Sequence, residues 1–347
     1  MKIAIFCPNL IGDTVMATPT IRAIRRGFAD AMLTAVIKPH VAPTLEGTDW
    51  FDDWVLFDHR ARSRDHRTTA VLRRLHRSRF DLAVLLPNSF RSALLARLAR
   101  IPRRVGYGRH GRGVLLTDVL QHPTDTDGRR LPTPIVETYL KLARHLGCPV
   151  ESIRLELATT RADELAADRA WTELGLDGEG PVVCLNTGGA YGPAKNWPTG
   201  HFAELARQLA RQSGARVLVL CGPSERENAR AIVAAAADDR VVSLADQELG
   251  IGLTKASIRR ASLLITTDSG PRHFAAAFGT PVVTLFGPTH IAWTRTHHTL
   301  AWHVRHPVPC GPCQRPICPE QHHRCMIDLQ PEGVYRLARR ILTAATT

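Results

Sequence analysis

Polar and glycine residues gather at four points where the sequence predicts the end of a buried strand, and parallel α/β folds bind ligands at the carboxyl ends of strands. The first point is Gly12-Asp13-Thr14, soon after the apolar run 2–7. We expect Asp13 at the mouth of a cleft, at or beside a helix N-terminus. An Asp at this place often serves as a helix N-cap, and the spacing alone favours that structural role.

The second point is the glycine-rich stretch 186–198, which follows a predicted strand and leads into a predicted helix. Glycines let a backbone approach an anion closely, so Thr187 and Gly188 are candidate binding residues, and Lys195 could neutralise a phosphate. The stretch lacks the Gly-Lys-Ser/Thr ending of a P-loop. The alternative is a long connecting loop with a solvated lysine.

The third point is Gly222-Pro223-Ser224-Glu225. A carboxylate at this end of a strand can accept hydrogen bonds from both hydroxyls of a ribose, which predicts that Glu225 binds a nucleotide. The structural alternative places Ser224 at the N-cap and Glu225 in the first helical turn, where the helix dipole favours it. The two interpretations are compatible.

The fourth and strongest point is Asp268-Ser269-Gly270-Pro271, which follows a β-rich run and precedes an alanine-rich stretch. Pro271 suits the first turn of a helix. The free backbone N–H groups around Ser269 and Gly270 could bind a diphosphate. We expect Asp268 beside the sugar or diphosphate of the same ligand, and His273 one turn into the helix near it.

Four of the eight cysteines, Cys310, Cys313, Cys318 and Cys325, lie close together near the end of the chain. Four thiolates can hold a structural zinc ion tetrahedrally. Their spacing is tighter than that of common zinc ribbons. We therefore expect reduced, packed thiols here rather than a metal site.

Predicted strands and helices alternate along both halves of the chain, which implies an α/β protein with two doubly wound parallel sheets. Helices are predicted over 66–79, over 89–100 with Ser89 as N-cap, and over 134–146, whereas the Arg- and Gly-rich residues 103–113 are expected to form a loop. We predict one domain over 1–160, a second over 161–330 and a closing helix over 331–347.

The composition, with 44% apolar and 22% charged residues, excludes a disordered chain, a collagen-like repeat and a disulfide miniprotein. No apolar run approaches the roughly 20 residues that cross a bilayer, and the start does not resemble a secretion signal. We expect a cytoplasmic protein. The net charge of +13 lies mainly in residues 1–160, with 25 basic against 15 acidic residues, which predicts a polyanionic partner for the first half.

Taken together, the motifs resemble the family 9 glycosyltransferases, the ADP-heptose:lipopolysaccharide heptosyltransferases, and in particular their heptosyltransferase II branch. The resemblance covers nearly the whole chain. Besides the stretch around Asp268, it is carried by Gly12-Asp13 with Met16 and Pro19, Pro87-Asn88-Ser89-Phe90-Arg91-Ser92-Ala93-Leu94, Tyr191-Gly192-Pro193-Ala194-Lys195-Asn196-Trp197-Pro198, and Phe286-Gly287-Pro288-Thr289. Asn196 and Arg272 stand where the family usually has Arg and Met.

The resemblance implies a GT-B architecture, in which two Rossmann-like domains face a central cleft. It implies inverting transfer of L-glycero-D-manno-heptose from ADP-heptose to the heptosyl-Kdo-lipid A inner core of lipopolysaccharide, with Asp13 as general base. No cofactor or metal and a monomeric state are expected. The donor-binding residues would be Thr187, Gly188, Lys195, Glu225, Asp268, Ser269, Gly270 and His273.

An acidic, membrane-borne acceptor fits the basic surplus of the first half. Candidate acceptor-binding residues are Asn88, Arg91, Arg109 and Arg112, and the last two belong to a basic loop that could grip carboxylates or phosphates. A helix over 66–79 would pack its apolar stripe on the sheet and turn its arginines toward anionic headgroups. We expect peripheral attachment to the inner face of the cytoplasmic membrane. This helix belongs to a basic segment over residues 60–79, whose arginines are Arg60, Arg62, Arg64, Arg67, Arg73, Arg74, Arg77 and Arg79.

Two alternatives remain at this point. One is a transferase or epimerase that uses UDP-sugars on the same fold. The other is a nucleic-acid-binding protein, which would interleave basic residues with stacking aromatics. Aromatic residues make up only 6% of the chain, and the strongest motifs lie in its nearly neutral half, so we expect no nucleic-acid partner.

Overall fold

The computed structural model describes residues 1–60, 63–124, 126–127, 131–189 and 191–344. Arg62 of the basic segment, Ala190 of the glycine-rich stretch and residues 345–347 of the closing segment lie outside them. Contacts divide the chain into two compact units. The first comprises Met1–Ala158 with Ala292–His297, and the second comprises Thr159–Ile291 with the chain from His298 onward.

The first unit is a parallel sheet with helices between its strands. Within the described residues its strands pair in the order β3-β2-β1-β4-β5-β6. The strands are β1 (Lys2–Phe6), β2 (Met32–Ile37), β3 (Asp53–Leu56), β4 (Leu82–Leu85), β5 (Arg103–Tyr107) and β6 (Asp118–Leu120). The helices are α1 (Ile11–Met16), α2 (Thr18–Gly27), α3 (Thr68–Ser78), α4 (Phe90–Leu98) and α5 (Ile135–His145), with 3-10 turns at Ala42–Thr44, Arg64–His66 and Arg112–Leu115.

The second unit repeats this winding, and its described strands pair in the order β12-β11-β10-β7-β8-β9. The strands are β7 (Val182–Asn186), β8 (Arg216–Leu220), β9 (Val241–Ser243), β10 (Leu263–Thr267), β11 (Val282–Phe286) and β12 (Ala301–Arg305). The helices are α6 (Arg161–Glu173), α7 (Thr199–Ser213), α8 (Arg226–Ala236), α9 (Ile251–Arg260), α10 (Pro271–Phe278), α11 (Arg324–Ile327) and α12 (Pro331–Ala344). The 3-10 turns are Pro193–Lys195, Pro223–Glu225, Leu244–Asp246 and Ile291–Thr294.

The central strands are apolar because both of their faces are covered. In β1, Ile3 and Ile5 belong to one buried cluster, whereas Ala4 and Phe6 belong to another. Alternate side chains of a strand point to opposite faces of a sheet, so the two clusters fill the two layers between this sheet and its helices. In each sheet the first strand of the unit has neighbours on both sides, as the prediction of two doubly wound parallel sheets requires.

The prediction of a loop over residues 103–113 was wrong, because β5 occupies the first part of it. The strand was not recognised because it begins with two charged residues, Arg103 and Arg104. Arg103 pairs with Asp118 at 2.9 Å, and Arg104 Nε donates to the Leu115 carbonyl at 2.7 Å. Only the end of the strand is apolar and buried, too short a run for the sequence to show.

The basic helix α3 has the predicted two-sided character. Val71 and Leu75 are buried under the sheet, whereas Arg73, Arg74 and Arg77 are exposed. Arg74 forms an ion pair with Asp53 at 2.8 Å. Among the helices that the structure describes, none is long and apolar enough to cross a membrane.

Candidate active site

Asp13 lies in the first turn of α1, just after the central strand β1. The position before this helix is held by Leu10, so Asp13 is not the N-cap that its spacing favoured. The Asp13 carbonyl accepts a hydrogen bond from the Ala17 N–H at 3.0 Å, and its side chain is half-buried.

Three of the candidate acceptor residues lie in the segments directly after β4 and β5, one of them in the first turn of α4. Ser89 is the predicted N-cap of α4, because its Oγ accepts the Ser92 N–H at 3.2 Å. This cap places Asn88 just before the helix and Arg91 on its exposed first turn. The Asn88 Oδ1 is buried and has no hydrogen-bond partner among the described residues. Arg109 is exposed in the turn that follows β5.

Arg112 cannot grip a ligand as the sequence suggested, because its side chain is 0% exposed. Its Nε donates to the Tyr107 carbonyl at 2.8 Å, and its Nη1 donates to the carbonyls of Pro87 and Ser89. Burial lowers the pKa of this guanidinium to about 10. Arg112 therefore remains a cation at neutral pH and ties the loop after β4 to the end of β5.

In the second unit, the residues around Asp268 form a buried ionic cluster. Lys195 Nζ donates to the Asp268 carboxylate at 2.8 Å and to its carbonyl at 2.7 Å. Arg272 Nη1 donates to the other carboxylate oxygen, Oδ1, at 3.0 Å. Thr289 Oγ1 donates to Oδ2, the oxygen that Lys195 also binds, at 2.7 Å. Tyr191 adds a ring face 4.5 Å from the Lys195 ammonium. Two cations thus share one carboxylate, and the cluster keeps a net positive charge.

This cluster fixes the protonation of its members. Burial on its own would raise the pKa of the Asp268 carboxyl, but the charges of Arg272 and Lys195, with hydrogen bonds from Lys195 and Thr289, hold that pKa below its ordinary value. Burial, helped by the charges of Arg272 and Lys195, holds the pKa of His273 well below its ordinary value. At neutral pH the site therefore contains an ionised Asp268 and an uncharged His273.

The N-terminus of α10 is anchored to the neighbouring strand β7. Asn186 Nδ2 donates to Ser269 Oγ at 2.9 Å and to Thr266 Oγ1 at 3.0 Å. Gly270 occupies the cap position directly before the helix. The backbone N–H groups at this end of the helix are therefore held in place at the carboxyl edge of the sheet, as anion binding requires.

Glu225 lies against Gly188, and the contact explains why residue 188 is a glycine. A Cβ on Gly188 would come within 1.5 Å of Glu225 Oε1, so any other residue would displace the carboxylate. Glu225 Oε2 accepts the Gly222 N–H at 2.7 Å, which leaves Oε1 turned toward Gly188. Next to this pair, the Thr187 hydroxyl accepts a hydrogen bond from Asn228 at 3.3 Å.

The sequence-predicted donor residues are thus brought to the carboxyl edge of one sheet, in the loops after β7, β8 and β10. Asp13, Asn88, Arg91 and Arg109 belong to the other unit. Sequence reasoning did not assign Arg272, Thr289, Tyr191 or Asn228 to the site. Arg272 was visible only as a departure from the family pattern, and Thr289 and Tyr191 only as members of matching stretches.

The segment that contains Cys310, Cys313, Cys318 and Cys325 packs against the loop after β7. Tyr191 Oη donates to the Gln314 carbonyl at 2.7 Å, and the Ala194 N–H donates to the Pro316 carbonyl at 3.0 Å. His323 Nε2 lies 2.7 Å from the Ala194 carbonyl. Within the described part of the chain no three His, Cys, Asp or Glu side chains are grouped to hold a metal ion. The free thiols range from the exposed Cys310 through the half-buried Cys313 and Cys318 to the buried Cys325.

We expect Asp268→Asn to destabilise the protein in a pH-dependent way. Removing the charge leaves Lys195 and the 3% exposed Arg272 uncompensated, at a cost of about 3 kcal/mol. Because folding lowers the pKa of Asp268, its stabilisation is complete at neutral pH and is lost as the pH falls below about 4. The difference between variant and wild type in the free energy of unfolding, from urea denaturation, should therefore be constant between pH 7 and pH 5 and shrink progressively as the pH falls below about 4.

Asp246→Asn is the matched control, because Asp246 pairs with Arg230 at 2.6 Å on the surface, where its side chain is 75% exposed. Surface ion pairs contribute little to stability. An equal loss at both positions, or a loss at Asp268 that does not change with pH, would contradict the role given to the buried cluster.

Comparison with known proteins gives one family. The family model for glycosyltransferase family 9 (heptosyltransferase) matches residues 68–324. The chain is 28% identical to lipopolysaccharide heptosyltransferase 2 of Escherichia coli over 342 residues, 96% of each chain, and 25% identical to lipooligosaccharide heptosyltransferase 2 of Campylobacter jejuni over 99% of this chain and 98% of the relative.

The solved structure of E. coli ADP-heptose lps heptosyltransferase II superimposes with a TM-score of 0.80 at 26% identity and covers 100% of both chains. The fold of a family 9 glycosyltransferase from Veillonella parvula matches with a TM-score of 0.82, covering 99% of this chain and 97% of that one. Neither the nucleic-acid-binding alternative nor the UDP-sugar alternative is favoured by these matches. The chain belongs to glycosyltransferase family 9 and is a glycosyltransferase of GT-B type.

Proposed function

We propose that the protein transfers L-glycero-D-manno-heptose from ADP-heptose to the heptosyl-Kdo-lipid A inner core of lipopolysaccharide, with inversion at the anomeric carbon. The observation that carries the proposal is the similarity, over 96% of both chains, to a protein named lipopolysaccharide heptosyltransferase 2. The residues at the carboxyl edges of the two sheets supply the chemistry that such a transfer needs.

The second unit is proposed to hold the donor nucleotide. Glu225, whose carboxylate lies against Gly188, accepts hydrogen bonds from the ribose hydroxyls. The Ser269 and Gly270 amides at the N-terminus of α10 bind the diphosphate. Lys195 and Arg272 outweigh the single charge of Asp268, so the diphosphate meets a net positive site. Thr187 and the uncharged His273 complete the donor contacts.

In the proposed reaction Asp13 removes the proton from the acceptor hydroxyl. The freed oxygen forms a bond to the anomeric carbon as the bond from that carbon to the phosphate oxygen breaks, and ADP leaves with the electron pair. A single displacement needs one base and a stabilised leaving group. Lys195 and the α10 N-terminus stabilise the departing ADP, so the proposed step requires no further cofactor.

The first unit is proposed to bind the acidic acceptor through Asn88, Arg91 and Arg109. The exposed arginines of α3 are proposed to hold this unit at an anionic membrane face. The buried side of α3 is used for packing, and its remaining face is basic, as a peripheral contact with lipid headgroups requires.

Gly188→Ala should weaken ADP binding about as much as the loss of Glu225 does, because its Cβ would occupy the position of Glu225 Oε1 and displace that carboxylate. Glu225→Ala should weaken ADP binding about tenfold by removing a charge-assisted hydrogen bond. Isothermal titration calorimetry with ADP measures both effects. Gly200→Ala is the matched control, since a Cβ there meets no atom within 4 Å. Unchanged ADP affinity in Glu225→Ala would remove this residue from the site.

Asp13→Asn should lower the turnover rate by about 10² to 10⁴-fold, the usual contribution of a general base. ADP binding should remain unchanged, because Asp13 belongs to the other unit. The assay is ADP release from ADP-heptose in the presence of acceptor. Asp30→Asn, an exposed change in the same unit, should have no effect. Near-wild-type turnover of folded Asp13→Asn protein would exclude Asp13 as the base.

Wild-type protein should co-sediment with anionic phospholipid vesicles at low salt and dissociate at high salt, because each arginine near such a surface contributes about 1 kcal/mol. Changing Arg73, Arg74, Arg77 and Arg79 of the α3 region to Gln should reduce this binding strongly. The control changes the exposed Arg336, Arg339 and Arg340 of α12 to Gln. Equal loss in both variants would show that total charge, rather than α3, determines the association.

A further inference from the structure

We propose that a small basic pocket in the first unit, lined by Lys38, His59 and Arg91, is a binding site for a phosphate or carboxylate group carried on a sugar. The inference rests on the proposed function, since it assigns this pocket to an anionic substituent of the acceptor. Lys38 and His59 have no role in the donor site or in the proposed proton transfer.

The pocket has a volume of about 110 Å³ and opens at the carboxyl edge of the sheet. Its walls come from the ends of β1 and β2, from the segment after β3, and from the loop that leads from β4 into α4. In this winding the loops after β1 and β4 diverge to opposite faces of the sheet, which leaves the crevice where such folds bind ligands. The polar lining includes Lys38, Asp58, His59, Ser89, Arg91 and Ser92.

The pocket carries more cationic than anionic side chains, with Lys38 and Arg91 against Asp58. Neither Lys38 nor Arg91 is in an ion pair within the part of the chain that the structure describes. Asp58, the acidic residue of the lining, accepts the Arg60 N–H at 3.0 Å and lies 3.6 Å from His59 Nδ1. Burial, with the charges of Arg91 and Arg60 and a smaller effect of Lys38, lowers the pKa of His59. A bound anion would be attracted by Lys38 and Arg91 and would favour the protonated form of His59.

The first turn of α4 adds backbone donors to these charges. Ser89, Arg91 and Ser92 of this turn all line the pocket. The Ser89 side chain caps the Ser92 N–H. The first N–H groups of a helix have no acceptor within the helix, and its dipole favours an anion at that end. Side-chain cations and a helix N-terminus therefore converge on one small volume.

A further, buried cation, Arg112, lies directly behind the loop between β4 and α4. Arg112 is fully buried, donates to the Pro87 and Ser89 carbonyls, and has an Nη2 without a hydrogen-bond partner among the described residues. A buried cation paired only with neutral carbonyls is costly. An anion bound on the pocket side of the loop would lie near this charge and offset part of that cost. Arg112 is thus a positioning residue that holds the anion-binding loop.

The test is calorimetric titration of the wild-type protein, saturated with ADP, with glucose 6-phosphate, glucuronate and glucose. We expect binding of at least one of the two anionic sugars and no binding of glucose. The preferred anion then distinguishes a phosphate from a carboxylate on the acceptor. Lys38→Gln and Arg91→Gln should each weaken that binding about tenfold, the usual loss for one charge-assisted hydrogen bond.

Arg97→Gln is the matched control, because Arg97 is exposed in the last turn of the same helix and does not line the pocket. It should bind the anionic sugar like wild type. Loss of sugar binding in Lys195→Ala would show that the anionic sugar binds at the donor site instead. Circular dichroism checks that all variants fold. Failure of both anionic sugars to bind, or equal binding by Lys38→Gln, Arg91→Gln and Arg97→Gln, would overturn the inference. Failure of ADP to bind would instead count against the proposed function.

Discussion

One buried carboxylate joins three separate segments of the second unit. Asp268 follows β10, and it binds Lys195 from the loop after β7, Arg272 from α10 and Thr289 from the segment after β11. Two cations attached to one anion in a buried place are stable only while all three are present. The same ionic cluster therefore fixes the loops at the carboxyl edge of this sheet and leaves a surplus positive charge there, where we propose that the diphosphate binds.

The first unit uses its charges in a different way. In place of a compensated cluster, it has Arg112 buried among neutral carbonyls and Lys38 and Arg91 beside an open pocket. The two sheets share the same winding, but one edge is organised by an internal anion, whereas we propose that the other binds an external one. This difference matches the uneven charge of the two halves of the chain.

The sequence predicted many of the residues at the carboxyl edge of the second sheet. These residues are adjacent along the chain or follow strands with an unmistakable apolar run. Asp268, Ser269 and Gly270 follow β10 directly, and Glu225 follows β8 within a few residues. Arg272 could not be assigned from the sequence, since nothing local shows that it is 3% exposed and turned toward Asp268. Arg112 was wrongly assigned to ligand binding, because arginines in a Gly-rich stretch are usually exposed and nothing local shows that this one is buried.

The sequence by itself determined the alternation of strands and helices, the two parallel sheets and the strand ends at which ligands bind, because these follow from the spacing of apolar residues over short distances. Only the tertiary structure decided which side chains share one carboxylate, as Lys195 and Arg272 do across 77 residues, and which glycine a distant side chain packs against, as Glu225 does against Gly188. Such partners are distant along the chain, and an arginine carries the same charge whether it is solvated or buried. Its neighbours in space, rather than its type, determine what it does.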